Sequence, residues 1–263
     1  MHEREGAEHG LRYGYSLIDL EALNLDSAAL PQLLAAAEQD GFAGLNLTHP
    51  CKQAVIPLLH ELSAEAKALH AVNTVMFKNG RRLGHNTDWW GFAENFRRNL
   101  PGAPRGHVVQ LGAGGAGAAV AYAALLAGVE RLDLHDPVAS RAEQLASNLA
   151  ACFGPHRIGA TSDVAAALAR ADGLINATPV GMAKYPGLPL DAALLRRDLW
   201  VADIVYVPLE TELLRRARAL GCRTMDGGGM AVFQAAEAFR LFTGIRPDGE
   251  RMLRHFNSLI ATR

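Results

Sequence analysis

The feature that most constrains the fold is a run of glycines between an apolar strand pattern and an alanine-rich helix pattern. The segment VVQLGAGGAGAAV, residues 108–120, places Gly112, Gly114, Gly115 and Gly117 at this junction. The first glycine permits a tight turn, the middle pair lets the backbone approach a pyrophosphate, and the last lets helix and strand pack closely. The start of the helix adds partial positive charge. This arrangement predicts a dinucleotide-binding loop, and the sequence contains no GxxxxGK[ST] segment that would indicate a P-loop.

A carboxylate at the end of the next strand pattern supports this interpretation. The pattern RLDLH ends on Asp136, near the offset of about 20 residues at which such domains carry the carboxylate that binds the adenosine ribose. A negative charge there repels a 2′-phosphate, which favours NAD over NADP. Arg141 lies one helical turn further on and moderates that preference. A glycine-rich helix start that binds no nucleotide is the alternative, and Asp136 weakens it.

Strand and helix patterns alternate along the chain and predict an α/β protein. Residues 12–19 and 42–47 are predicted as strands, and residues 72–86 as a hairpin with Asn79-Gly80 as its turn. From residue 107 the strands are apolar and each is followed by a helix, which indicates a doubly wound parallel sheet covered on both faces.

The pattern divides the chain into two domains of different style. Residues 1–87 are predicted as a substrate-binding domain and residues 88–228 as a Rossmann-type dinucleotide-binding domain. The last segment, 229–263, contains two helix patterns with no strand after them. We expect these helices to return to the first domain.

Composition excludes several classes of protein. The 263 residues carry a net charge of −1, which removes the electrostatic argument for nucleic-acid binding. No apolar run approaches the roughly 20 residues that span a membrane, and MHEREGAEHG lacks the apolar core of a signal peptide. The 3 cysteines form no CxxC pair and indicate reduced thiols in a cytoplasmic protein. We expect a monomer or a homodimer that binds a small molecule.

A polar turn in the first domain raises the question of catalysis. In GLNLTHPCKQAVIPLL, residues 44–59, polar side chains and Lys52 stand where a strand pattern meets a helix pattern. A surface loop, a metal site at His49 and Cys51, and a catalytic lysine are the three interpretations. One close ligand pair falls short of the four that zinc requires. Asp88, in GHNTDWWG, also lies where a strand meets a helix, a position that a carboxylate favours for electrostatic reasons alone.

Six motifs in order resemble those of shikimate dehydrogenases. They are NLTHPCK, AVNTV, GHNTD, LGAGGAG, NATPVGM and DGGGMAVFQAAEAF, and they extend over nearly the whole chain. Asp136 stands where NADP-preferring members carry N-R-T-x-x-R, so the chain is more similar to the NAD-preferring quinate/shikimate dehydrogenase branch. The resemblance implies an oxidoreductase that interconverts shikimate and 3-dehydroshikimate, and quinate and 3-dehydroquinate, with NAD favoured and NADP possible.

The resemblance also implies a role for individual residues. Lys52 and Asp88 form the catalytic pair, in which Lys52 carries the proton while hydride passes between the substrate and the nicotinamide. Polar side chains hold the cyclic polyol carboxylate: Asn46, Thr48, Asn73, Tyr206 and Gln234. The cofactor-binding set comprises Gly112, Ala113, Gly114, Gly115, Ala116 and Gly117 at the pyrophosphate, Asp136 and Arg141 at the ribose, and Asn176, Thr178, Ile204 and Gly227 along the cofactor. No metal is implied.

One departure from the family concerns the start of the sequence. Members begin with a strand and a G-x-x-I-x-x-S-x-(S/T)-P segment whose hydroxyls hold the substrate carboxylate, whereas MHEREG resembles the helix that follows. We expect the natural polypeptide to begin upstream of Met1. The alternative is a truncated, poorly active NAD-binding homologue. For the function, the alternatives are an NADP-dependent biosynthetic shikimate dehydrogenase and a non-catalytic dinucleotide-binding or regulatory protein.

Overall fold

The computed structural model describes residues 1–261 and contains two compact units. The first comprises Met1–Thr87 with the carboxyl-terminal residues from Val232, and the second comprises Asp88–Ala231. Each is described by itself below.

The first unit is built around a mixed four-stranded sheet. Its elements before residue 88 are α1 (His2–Glu8), α2 (Leu30–Gln39), β1 (Gly44–Asn46), α3 (Cys51–Ala54), β2 (Glu61–Leu62), α4 (Ala64–Leu69), β3 (Thr74–Lys78) and β4 (Arg81–His85). The strand order is β1-β3-β4-β2. The predicted hairpin is confirmed, because β3 and β4 pair antiparallel around Asn79 and Gly80, both at positive φ. Leu34 of α2, Val75 of β3 and Val55 are fully buried in one hydrophobic core.

The strand predicted over residues 12–19 is not present. This segment is irregular, and its Tyr15 backbone N–H donates to the Glu3 carboxylate instead of to a strand. Alternating side chains predict only the direction in which residues point, whereas a strand also needs a neighbour that completes its hydrogen bonds. β1 pairs with β3 and stands at the end of the strand order, and residues 12–19 form no strand beside it. This segment and β1 instead line a cavity of about 1220 Å³. Leu17 is accordingly 85% exposed.

The second unit is a parallel sheet with helices, as the sequence predicts. Its elements are α5 (Asp88–Asn99), β5 (His107–Leu111), α6 (Gly115–Leu126), β6 (Arg131–His135), α7 (Ala139–Phe153), β7 (Ile158–Ala160), α8 (Val164–Leu168), β8 (Gly173–Asn176), β9 (Trp200–Asp203), α9 (Glu212–Leu220) and β10 (Arg223–Met225). All neighbouring strands pair parallel in the order β10-β9-β8-β5-β6-β7. The chain extends the sheet to one side from β5 and to the other from β8. Ligands of such sheets bind at the carboxyl ends of the strands where this reversal occurs, here between β5 and β8.

Two helices complete the described chain, α10 (Gly228–Thr243) and α11 (Gly249–Ala261). The part of α10 from Val232 and all of α11 belong to the first unit. The ring of Phe239 stacks on Tyr13, with centroids 5.3 Å apart. Arg251 forms an ion pair of 2.7 Å with the buried Glu5 of α1. Both contacts join the carboxyl-terminal helices to the amino-terminal helix and the segment that follows it.

Candidate functional site

The polar turn of the first unit leads from β1 into the short helix α3. The backbone N–H of Cys51 donates to the Thr48 carbonyl at 2.8 Å, which closes the turn. Lys52 is half-buried, and its carbonyl accepts from the Val72 N–H at 2.8 Å, so α3 is anchored beside the start of β3. Thr48 is exposed at the end of the strand. Burial raises the pKa of the Cys51 thiol, which disfavours the thiolate that a metal would need.

A hydrogen-bonded polar cluster connects three of the four predicted substrate residues of the first unit, all but Thr48. The Asn73 side chain donates to Thr87 Oγ1 at 3.0 Å, and its Oδ1 accepts from the Thr87 N–H at 2.7 Å and from Thr74 Oγ1 at 3.1 Å. Asn46 Nδ2 donates to Thr74 Oγ1 at 3.0 Å. Thr87 Oγ1 donates to Gln234 Oε1 at 3.4 Å. Three of the predicted residues, Asn46, Asn73 and Gln234, are therefore brought together through the two threonines.

Sequence reasoning missed Thr74, Thr87 and Tyr15 in this cluster. Thr74 and Thr87 are buried, and the hydroxyl of Tyr15 donates to Asn46 Oδ1 at 3.1 Å. The two threonines lie inside the motifs AVNTV and GHNTD, directly after an asparagine in each. That repeated Asn-Thr pair was the available signal. The Tyr15 contact spans 31 residues and had none.

Asp88 begins α5 in the second unit. Asp88 is only 7% exposed. It lies in the first turn of the helix, where the helix dipole stabilises a carboxylate. Its burial distinguishes Asp88 from an ordinary surface carboxylate at a helix start.

The glycine loop follows β5 and forms a cradle of backbone. A Cβ on Gly112, at φ +94°, would meet the Ala177 carbonyl oxygen at 2.6 Å, and one on Gly117 would meet the Gly112 oxygen at 2.3 Å. A Cβ on Gly114 or Gly115 would meet nothing within 4 Å. Within residues 1–261 no side chain caps the start of α6, so its first-turn N–H groups face this opening. These features fit the pyrophosphate of a dinucleotide.

Asp136 lies directly after β6 and closes one side of the same loop. Its Oδ2 accepts from the Ala113 N–H and its Oδ1 from the Val138 N–H, both at 2.9 Å. The residue is 8% exposed. An ionised carboxylate has about four acceptor positions, so both oxygens keep capacity for ribose hydroxyls. Arg141 is exposed on the first turn of α7.

The remaining predicted cofactor residues lie at the carboxyl ends of β8 and β9. The side chain of Asn176, the last residue of β8, accepts from the Thr178 hydroxyl at 2.7 Å, and its carbonyl accepts from the Ile204 N–H at 3.0 Å. A Cβ on Gly227 would lie 2.2 Å from the Ile204 oxygen, which explains a glycine there. Tyr206, which is predicted as a substrate residue and not as a cofactor residue, is 48% exposed beyond β9.

The described residues lack two kinds of feature, a metal-ligand cluster and a membrane-spanning helix. Residues 1–261 contain no cluster of three or more histidine, cysteine, aspartate or glutamate side chains placed to hold a metal ion. None of the helices in this range is both long enough and apolar enough to cross a membrane.

Family models match both ends of the chain. Residues 1–75 match the model described as the shikimate dehydrogenase substrate binding domain, and residues 227–255 match the shikimate 5'-dehydrogenase C-terminal domain. The two matched segments include the polar turn with Lys52 and the part of α10 that carries Gln234.

Individual relatives match over nearly their whole length. A shikimate dehydrogenase (NADP(+)) of Streptomyces avermitilis is 55% identical, over 100% of this chain and 91% of the relative. A quinate/shikimate dehydrogenase (NAD(+)) of Corynebacterium efficiens is 50% identical, over 98% of this chain and 92% of the relative. The structure of quinate dehydrogenase from Corynebacterium glutamicum in complex with NAD is 48% identical, with a TM-score of 0.92 over 98% of this chain and 92% of that one.

Proposed function

This chain belongs to the shikimate dehydrogenase family, and on that premise we propose that it interconverts shikimate and 3-dehydroshikimate, and quinate and 3-dehydroquinate, with NAD as its preferred dinucleotide. The family is one of NAD(P)-dependent oxidoreductases that act on a CH–OH group. The position of Asp136 beside the glycine loop carries the proposed preference for NAD.

Charge is the physical basis of that preference. The Asp136 carboxylate is held by two backbone N–H groups and is 8% exposed, so it cannot swing away from a ligand at the loop. A ribose 2′-hydroxyl donates a hydrogen bond to such a carboxylate, whereas a 2′-phosphate brings a second negative charge to it. Arg141, exposed on α7, offsets part of that repulsion and leaves NADP as a weaker cofactor.

Lys52 and Asp88 are the proposed catalytic residues. When bound, the nicotinamide ring accepts a hydride from the substrate carbinol carbon or returns it. Lys52 takes the hydroxyl proton at its Nζ during oxidation and gives it back during reduction. Its half-buried position restricts the water that competes for this proton. Asp88 orients the same hydroxyl by accepting a hydrogen bond from its place in the first turn of α5.

Recognition of the substrate hydroxyls depends on neutral polar side chains. Those proposed to contact the ring are Asn46, Thr48, Asn73, Tyr206 and Gln234. The hydrogen bonds that connect Asn73 to Thr74 and Thr87 hold its side-chain amide in one orientation. A site built to bond hydroxyls rejects analogues that lack them, because its own polar groups would be left unpaired.

The decisive experiment measures initial rates with shikimate and with quinate, each with NAD and with NADP. We expect activity with both acids and a higher kcat/KM with NAD for each. A higher kcat/KM with NADP would replace this proposal with that of an NADP-dependent shikimate dehydrogenase, as the Streptomyces relative is named. Binding of NAD without turnover of either acid would contradict the catalytic proposal itself.

A further inference from the structure

A buried carboxylate in the second unit has no part in the function proposed above. Asp203 is the last residue of β9 and is fully buried. Burial raises its pKa to about 6, because the apolar surroundings disfavour the charged form and Asp226 adds like-charge repulsion. An isolated buried carboxylate is strongly destabilising, so its retention here requires hydrogen-bond partners.

Three donors from three different segments satisfy this carboxylate. Asn176 Nδ2 and the Val205 N–H each donate to Oδ1 at 3.0 Å, and Thr211 Oγ1 donates to Oδ2 at 2.7 Å. These donors come from the end of β8, from the segment after β9, and from the residue that caps α9. One side chain therefore joins the strand ends to the following helix.

The hydrogen bonds continue from Asn176 into the turn after β8. Thr178 donates to Asn176 Oδ1 through its N–H at 3.1 Å and through its hydroxyl at 2.7 Å. The Val180 N–H donates to Thr178 Oγ1 at 3.1 Å, and Asn176 Nδ2 donates to the Val180 carbonyl at 3.0 Å. Residues 176–180 are thus held as a compact turn whose inner support is Asp203.

This turn borders the crevice between β5 and β8, where the strand order reverses. The Ala177 carbonyl packs so close to Gly112 that a Cβ there would lie 2.6 Å from it, so the turn forms one wall of the glycine loop. Parallel sheets bind their ligands at this point. A shift in the turn would change the width of the opening in which a dinucleotide lies.

We propose that Asp203 is a positioning residue for dinucleotide binding, acting through Asn176 and Thr211 to fix the turn 176–180 and the segment after β9. The proposal rests on the proposed function, since it assumes that the crevice binds NAD. Asp203 itself is fully buried, so any effect on the ligand passes through the residues it holds.

Two substitutions at Thr211 separate positioning from packing. The Thr211 methyl packs beside Gly181, where an added Cβ would lie 3.3 Å from it, while the hydroxyl bonds to Asp203. Thr211→Val keeps the methyl and removes the hydroxyl, whereas Thr211→Ser does the reverse. We expect Thr211→Val to raise the Kd for NAD about 3- to 10-fold and Thr211→Ser to remain near the wild type. A merely structural role for the methyl predicts the opposite order, and that result would overturn the proposal.

Substitution of the carboxylate itself is the stronger test. Asp203→Asn preserves shape and removes the charge, and we expect it to raise both the KM and the Kd for NAD about tenfold while the KM for the cyclic acid changes less than about twofold. Asp198→Asn, an exposed aspartate ahead of the same strand, is the matched control. An unchanged Kd in folded Asp203→Asn would refute the positioning role. Failure of the wild type to bind NAD would instead refute the proposed function, and should Asp203→Asn not fold, the Thr211 pair decides.

Discussion

The Asp136 carboxylate and the backbone N–H of Ala113, 23 residues apart in sequence, are joined by a hydrogen bond of 2.9 Å. This bond ties the end of β6 to the glycine loop after β5. The carboxylate is therefore held in place beside the loop, where we propose that it binds the ribose. Preorganisation of this kind lowers the cost of binding, because the polar groups are ordered before the ligand arrives.

Asp136→Asn should shift cofactor selectivity towards NADP. Removal of the charge abolishes the repulsion of a 2′-phosphate, so we expect the ratio of kcat/KM for NAD to that for NADP to fall about tenfold or more. The ratio is obtained from initial rates with each dinucleotide at saturating shikimate. Asp172→Asn is the control, since Asp172 accepts from the His107 N–H at the opposite, amino ends of the strands. An unaltered ratio in Asp136→Asn would exclude this carboxylate as the source of selectivity.

Two glycines of one loop should respond to alanine in opposite ways. A Cβ on Gly115 meets nothing within 4 Å, so Gly115→Ala should keep stability within about 1 kcal/mol and yet raise the Kd for NAD at least tenfold by intruding on the pyrophosphate. A Cβ on Gly117 would lie 2.3 Å from the Gly112 oxygen, so Gly117→Ala should lose about 1–3 kcal/mol of stability. Urea unfolding and NAD titration measure the two effects. Tight NAD binding by Gly115→Ala would show that the ligand lies elsewhere.

Lys52→Ala should abolish most turnover and spare the cofactor. Loss of a positioned proton carrier typically lowers rates about 10²- to 10⁴-fold, and we expect kcat to fall by that amount while the Kd for NAD stays within about twofold. Lys67→Ala provides the comparison, because Lys67 is an exposed lysine on α4 of the same unit. Turnover equal in both variants would remove Lys52 from the mechanism.

Asn73→Ala should destabilise the first unit. The substitution leaves the buried Thr87 N–H and two threonine hydroxyls without their amide partner, and each such group costs about 1–3 kcal/mol. We expect a loss of about 2–4 kcal/mol in the free energy of unfolding, measured in urea. Asn257→Ala, at an exposed position on α11, should change it by less than about 0.5 kcal/mol. Equal stabilities for the two variants would show that the Asn73 cluster contributes nothing to folding.

Asp203 should make the free energy of unfolding depend on pH. Its folded pKa is raised from 3.8 to about 6, so the native state holds the proton more tightly and the stabilisation is complete below about pH 4. As pH rises through about 6 this contribution is lost, up to about 3 kcal/mol by linkage. The free energy of unfolding is measured at pH 4.5, 5.5, 6.5 and 7.5 for the wild type and for Asp203→Asn. We expect the wild type to lose stability relative to Asp203→Asn as the pH rises. Parallel curves would contradict the raised pKa.

Most of the second unit was predictable because its signals are local. Apolar runs of strand length, an alanine-rich helix and four glycines within six residues define β5, the loop and α6 without reference to distant parts of the chain. The position of Asp136 at the carboxyl end of β6 was predictable from the strand pattern that precedes it. The short strands β2, β7 and β10 carry two or three residues each and were not predicted, since so few residues show no periodicity.

The sequence by itself determined the fold class, the glycine loop and the motifs that contain Lys52 and Asp88, because these are patterns among neighbouring residues. The tertiary structure decided what depends on distant partners. Residues 12–19 alternate like a strand and yet have no strand beside them. Thr74 and Thr87 belong to the polar cluster because they hydrogen-bond to Asn73. Asp203 is satisfied in the core because Asn176 and Thr211 donate to it. Hydrogen bonding and burial are properties of the packed chain, and only packing brings such donors to their acceptors.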